Sequence, residues 1–354
     1  MKIKELTEQL SENEAFLITT EVNRFYFAGF NASNGYLLVT KNGGTFITDS
    51  RYIEAARETV KDCDVLLESR YTEQIKKLLS KNGVKKLYIE ATRISVAEAL
   101  KYRELFSDTE VDFTSRLDNI IDSLRRIKTP EEKEKMRRAQ KIAEAAFREV
   151  IKKIKPGITE KDVAIELDYL MKKGGASDVS FETIVVSGAN SSKPHGVPGD
   201  KKIEAGDFVT IDFGAVYEGY HSDTTRTFAV GYATDEMKAV YDVVLRAQLA
   251  GVKALRAGMS GHELDAVCRD IISEAGYGKA FGHATGHGVG VEIHEGAVAS
   301  PRSKDILTAN NSITVEPGIY LEGKFGVRIE DTLFAEENGS ENLVSLPKEL
   351  MILG

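Results

Sequence analysis

The chain has 354 residues, 42% hydrophobic and 29% charged, with 47 Lys and Arg against 55 Asp and Glu for a net charge of −8. That length exceeds the roughly 250–300 residues at which a single core stops growing, so two domains are expected, and the composition excludes a wholly disordered or fibrous chain. A mildly acidic chain with no basic block, and no apolar run near the ~20 residues of a membrane span, is expected to bind neither nucleic acid nor a membrane.

The start, MKIKELTEQL, has no apolar signal-peptide core. The two cysteines, Cys63 and Cys268, are expected in different domains. Both observations point to the cytoplasm. In the first half, Ala15–Thr20, Tyr36–Thr40, Thr45–Thr48 and Leu87–Glu90 read as strands, with Asn42-Gly43-Gly44 as a hairpin turn. Tyr52–Val60, Thr72–Leu79 and Val96–Phe106 have helical spacing. This predicts an α/β domain over residues 1–122. Ser123–Thr129 reads as a charged connector, within a linker at 123–130. Thr129-Pro130-Glu131-Glu132 is a helix start, with Thr at the N-cap and Pro at the first position. That helix is expected to run to about Ile154, a second from Thr159 to about Met171, and two more over Met237–Leu255 and Glu263–Ala275. Strand-rich stretches fill 179–232 and 280–335, completing a second domain over 131–354.

Two predicted hairpins oppose carboxylates. In Phe208–Gly214 (FVTIDFG), period two puts Phe208, Thr210 and Asp212 on one face; in Tyr220–Val230 it groups His221, Asp223, Thr225 and Thr227. A turn centred on Tyr217-Glu218 sets Asp212 opposite Asp223. In the second hairpin, SITVEP and FGVRIED flank a turn at Gly323, which pairs Leu321 with Phe325 and Glu316 with Glu330. One such pair is ordinary on a solvated strand face. Two pairs in otherwise apolar strands are costly to bury without counter-charge, and one or two divalent cations resolve the repulsion.

All six histidines lie beyond residue 194, three of them in Phe281–Glu295 (FGHATGHGVGVEIHE). The glycines weaken any helix there, so His283 and His287 are read on one face of an extended segment, with His294 close by. His195 sits in a proline-framed loop, Lys193–Pro198. His262 is read as an exposed helix residue and His221 as a surface or supporting residue. Arg328, two before Glu330, is placed to pair with the acids or to grip a substrate carboxylate.

These motifs together (H195-G-V-P, VTIDFG, GYHSDTTRTF, GHATGHGVGVEIHE, VEPGIY and GVRIED, with NRFYFAGF and TDSRY in the first half) resemble the Xaa-Pro aminopeptidase and prolidase family of metallopeptidases over essentially the whole chain. The resemblance implies an α+β chain, a C-terminal pita-bread domain preceded by a creatinase-like α/β domain. It implies metal ligation by Asp212, Asp223, His287, Glu316 and Glu330, with Asp223 and Glu330 bridging two divalent ions (Mn, Co or Zn) per subunit. It gives His195, His294 and Glu316 catalytic roles, and His283 and Arg328 substrate-side roles. The implied activity is that of an Xaa-Pro aminopeptidase, removing the N-terminal residue from peptides with proline second through a metal-bridging hydroxide. The alternative is a prolidase restricted to Xaa-Pro dipeptides; a non-catalytic peptide-binding protein is less favoured because all five ligand positions are filled. The resemblance also implies a homodimer. Departures at Ala284-Thr285 and Gly296-Ala297 bear on substrate preference rather than on ligation.

Overall fold

Short apolar strands alternating with amphipathic helices build a layered first unit. The computed structural model describes residues 2–354, and the chain divides into Met1–Leu124 and Arg125–Gly354. The first unit runs α1 (Lys2–Glu8), β1 (Glu14–Ile18), α2 (Glu21–Ala28), β2 (Tyr36–Thr40), β3 (Gly43–Thr48), α3 (Ile53–Thr59), β4 (Asp64–Leu67), α4 (Tyr71–Lys81), β5 (Lys86–Ile89), α5 (Val96–Leu105), β6 (Glu110–Asp112) and α6 (Arg116–Arg126), whose last two residues already belong to the second unit. Its six strands form one sheet in the order β4-β3-β2-β1-β5-β6. Ala15, Leu17, Leu38, Ile47, Leu87 and Ile89 pack against Ile75 and Leu79 of α4. The β2–β3 loop is Lys41-Asn42, because Thr40 already pairs with Gly43, so the two glycines are strand residues rather than the turn. Ser123–Thr129, read as a connector, begins inside α6. Leu117 and Ile121 of that helix are buried one turn apart, and its closing Arg125 and Arg126 suit the negative end of the helix dipole.

The second unit begins with α7 (Pro130–Val150) and α8 (Glu160–Lys173). Each opens on a reciprocal cap: Thr129 accepts from the Glu132 N–H while Glu132 accepts from the Thr129 N–H, and Thr159 and Asp162 do the same. There follow β7 (Asp178–Val179), β8 (Ile184–Ser187), β9 (Phe208–Phe213), β10 (Ala215–Tyr217), β11 (Tyr220–His221), β12 (Thr224–Val230), α9 (Asp235–Ala254), α10 (Gly261–Glu274), β13 (Gly286–His287), β14 (Val298–Ala299), β15 (Ser312–Val315), β16 (Gly318–Leu321), β17 (Phe325–Arg328), β18 (Asp331–Glu336), β19 (Gly339–Asn342) and β20 (Ile352–Leu353). The unit has two helix-backed layers. Ile142, Ala146, Phe147 and Leu167 of α7 and α8 cover Val209, Ile211, Phe213 and Phe228. Val240, Val244, Leu264 and Cys268 of α9 and α10 cover Ile313, Val315, Val327 and Ile329.

This packing decides where the polar residues point. With Ile211 and Phe213 turned to the helices, period two turns Thr210 and Asp212 to the opposite face; Val315 and Ile329 likewise turn Glu316 and Glu330 away from α9 and α10. The second hairpin has the predicted register. Leu321 pairs with Phe325, and beyond a short gap Val315 pairs with Asp331 at the same offset, leaving Glu316 and Glu330 opposed in the gap. The first hairpin differs by two residues, since Asp212 pairs with Thr225, not Asp223. Its turn is Glu218-Gly219, both at positive φ (46° and 77°), the two-residue turn whose twist matches the strands. A shift of two preserves the face, so Asp212 and Asp223 still point the same way.

Phe147 stacks on Phe213 at 5.0 Å between ring centres, directly behind the strand that carries Asp212. Phe147→Ala is expected to destabilise the fold by about 3–5 kcal/mol in chemical denaturation. A loss under about 1 kcal/mol would show that this helix layer is not what holds the strand.

Candidate metal centre

Period two and the two hairpins bring Asp212, Asp223, Glu316 and Glu330 together with His287. Asp223, His287 and Glu330 each present a ligand atom within 4.8 Å of the others. His287 Nε2 lies 3.4 Å from Asp223 Oδ2 and 3.5 Å from Glu316 Oε1. His287 Nδ1 is 3.1 Å from the Gly288 carbonyl, which can only accept. Nδ1 therefore carries the proton and Nε2 turns its lone pair towards two carboxylates. Burial, with His294 beside it, pushes the His287 pKa down to about 4, so the ring is neutral at pH 7. A lone pair facing carboxylate oxygens is repulsive unless a cation lies between them.

The carboxyls respond in the opposite direction. Burial, then Glu330, Asp212 and Glu316, raise Asp223 well above its ordinary range; burial, then Glu316 and Asp212, do the same to Glu330. Glu316 is pushed up to about 8, by burial first and then by Asp212. The one cation among them is Arg328. It donates to Asp212 Oδ2 (2.7 Å), to Thr225 Oγ (3.1 Å), to Tyr320 Oη (2.9 Å) and to the Pro194 carbonyl (3.2 Å). Thr225 Oγ in turn donates to Glu330 Oε2 (2.6 Å). Thr314 Oγ accepts from the His287 N–H and donates to Glu316 Oε1. Asp212 Oδ1, by contrast, is buried without a hydrogen-bond partner. Four carboxylates, one neutral imidazole lone pair and an orphaned carboxylate oxygen, set against a single guanidinium, are the donor set a divalent cation requires.

The other predicted residues surround this cluster. His294 is exposed with its ring 4.1 Å from that of His287. Partial desolvation of the ring, and then His195, lower its pKa. His195 is exposed on the loop whose Pro194 carbonyl Arg328 holds. His283 has both ring nitrogens engaged, Nδ1 on the Ala284 carbonyl (2.8 Å) and Nε2 on Tyr320 Oη (2.8 Å). It offers a ring face rather than a free donor. His262 is exposed on α10, bonded to the Pro301 carbonyl. Sequence reasoning missed Thr225, Thr314 and Tyr320. The two threonines lie two residues from an acid on the same face, a spacing that could have flagged them.

The profile of metallopeptidase family M24 matches residues 134–337, and that of the creatinase/prolidase N-terminal domain matches residues 2–127. The chain is similar to the solved Xaa-Pro dipeptidase from Bacillus anthracis (42% identity, TM-score 0.95, 99% of each chain). It is similar as well to the X-Pro aminopeptidase from Thermotoga maritima (39%, TM-score 0.92, 98% of this chain and 100% of that one). A curated relative, the Xaa-Pro dipeptidase of Pyrococcus horikoshii, is 37% identical over 99% of this chain and 98% of its own. The chain therefore belongs to metallopeptidase family M24, with a pita-bread domain behind a creatinase-type N-terminal domain. It is a metallo-exopeptidase. No helix among the described residues is long and apolar enough to cross a membrane.

The raised carboxyls fix a pH dependence. Glu316 has an ordinary pKa of 4.5 and sits at about 8 in the metal-free fold. Folding without metal therefore keeps a proton that the unfolded chain releases, and stability is expected to fall as pH rises from about 4.5 to about 8. A divalent cation must displace that proton, so metal addition at pH 7 is expected to release protons. Calorimetric titration in buffers of different ionisation heat reads this directly; buffer-independent heats would contradict it.

Proposed function

We propose that the chain is a dinuclear Xaa-Pro dipeptidase, acting as a cytoplasmic homodimer on dipeptides with proline second. The observation that carries this reading is the convergence of four carboxylates and a neutral imidazole on one face of two helix-backed layers. The substrate is supported by the relatives named Xaa-Pro dipeptidase. The sequence alone favoured the aminopeptidase reading, and the Thermotoga protein named X-Pro aminopeptidase keeps that as the second reading. The compartment is supported by the free thiols of Cys63 and Cys268.

In this reading Asp223 and Glu330 would be shared between two divalent ions (Mn, Co or Zn), Asp212 would hold one, and His287 and Glu316 the other. When bound, the ions lower the pKa of water and act as Lewis acids on the scissile carbonyl. Arg328 orients Asp212 directly and Glu330 through Thr225. Glu316, as a carboxylate, would take the proton that the attacking water gives up and hand it to the proline nitrogen, a tertiary amide nitrogen with no hydrogen of its own that must gain one to leave. His294 and His195 donate to the carbonyl oxygen as charge builds there. The engaged ring of His283 forms a wall on the leaving-residue side.

With added manganese or cobalt, Xaa-Pro dipeptides are expected to exceed Xaa-Pro-Yaa tripeptides in kcat/KM by on the order of a hundredfold. Equal or better tripeptide turnover would move the assignment to the aminopeptidase. Asp223→Ala and Glu330→Ala are each expected to abolish turnover and most bound metal; near-normal turnover in either would remove the bridging assignment.

A further inference from the structure

The charged connector of the sequence has a partner that the reaction scheme leaves unused. The side chain of Glu295, next in sequence to His294, is buried, as are those of Arg125 and Lys128, all three within the second unit. Arg125 Nη2 donates to Glu295 Oε2 (2.6 Å) and to Glu292 Oε2 (2.6 Å). Lys128 Nζ donates to Glu295 Oε1 (2.7 Å) and to the Arg125 carbonyl (2.9 Å). Burial would raise the Glu295 carboxyl, but Lys128 and Arg125 overcome it and hold the pKa at about 2. Three charged side chains this deeply buried need a reason beyond stability, since such groups are often replaceable by apolar ones without loss.

The reason is legible in what Glu295 touches. Its Oε2 accepts from the Glu292 N–H (3.1 Å), and its own N–H donates to the Gly288 carbonyl (3.0 Å). That carbonyl is the acceptor that fixes the His287 ring through Nδ1. A Cβ on Gly290 would lie 2.0 Å from Glu295 Oε1, so the 286–295 segment is wrapped tightly around this carboxylate. We propose that Arg125 and Lys128 are positioning residues which, by clamping Glu295, set the loop that carries His287 and His294. The proposal rests on the reading of His287 as a metal ligand. Groups that orient a ligating imidazole govern metal affinity through its ring angle and tautomer.

The test uses the full-length protein, titrated with zinc against a competing chelator, with labelled histidine to follow the six rings by NMR. Lys128→Met and Glu295→Gln are each expected to weaken zinc binding by about tenfold to a hundredfold. Both should move the ring resonances of His287 and His294 and leave exposed His262 in place. Lys128→Arg keeps the cation and is expected to recover most of the affinity. Should a single variant fail to fold, the double variant Lys128→Met/Glu295→Gln decides, because it strands neither charge of the pair. Continued weak binding by the double variant supports the clamp. Recovery to parent affinity overturns it, as do folded single variants with parent affinity and unmoved His287 and His294 rings. If zinc fails to move the His287 resonance of the parent protein, the ligand reading beneath the proposal is itself wrong, whatever the variants do.

Discussion

Mutual repulsion among four carboxylates on one buried face is the constraint around which the second unit is arranged. Isolated, each acid would protonate or turn to solvent. The second escape is closed. The strands that carry them are pinned on the other face by Ile211, Phe213, Val315 and Ile329, which are buried against the helices, and period two leaves the acids no choice of direction. The apolar packing thus holds the carboxylates together against their own electrostatics. The raised pKa of Asp223, Glu316 and Glu330 records the strain of doing so without a cation.

The surrounding hydrogen bonds refine this arrangement by forcing directions. Arg328 can only donate, so Thr225 accepts from it and passes its own proton to Glu330; Tyr320 accepts from Arg328 and passes its proton to His283. One guanidinium therefore orients an acid from each hairpin, Asp212 directly and Glu330 at one remove. Removing Arg328 would loosen both hairpins at once, whereas removing Thr314 would release Glu316 and the His287 N–H.

The face each acid takes was legible because strand alternation is local and easily counted. Register depended on turn chemistry. Gly323 lies at φ 72° in a turn whose neighbours left little choice, and the pairing of Leu321 with Phe325 followed. Glu218 adopts φ 46°, unusual for a residue with a side chain, and this displaced the first hairpin by two. The face survived because an even slip preserves it. Extension of α6 through Arg126 was missed because its run of charges resembles a linker until Leu117 and Ile121 are seen one turn apart and buried. The Glu295 cluster was beyond reach, since it joins residues about 170 positions apart with no periodic pattern to announce it.

The same directional logic narrows the acid–base chemistry open to the site. His283 is locked as a neutral ring, its Nδ1 proton on the Ala284 carbonyl and its Nε2 filled by Tyr320. Burial, followed by Arg328, holds its pKa at about 4. It can neither give nor take a proton without breaking a bond to its own fold. His287 is held in the same tautomer by Gly288, with its free lone pair committed inward. In the proposed reaction Glu316, His294 and His195 are the groups left to meet a bound peptide. Of these, Glu316 is the carboxyl buried among the other acids; once a cation has displaced its own proton it is a carboxylate, placed to take a proton from the attacking water and hand it to the departing nitrogen.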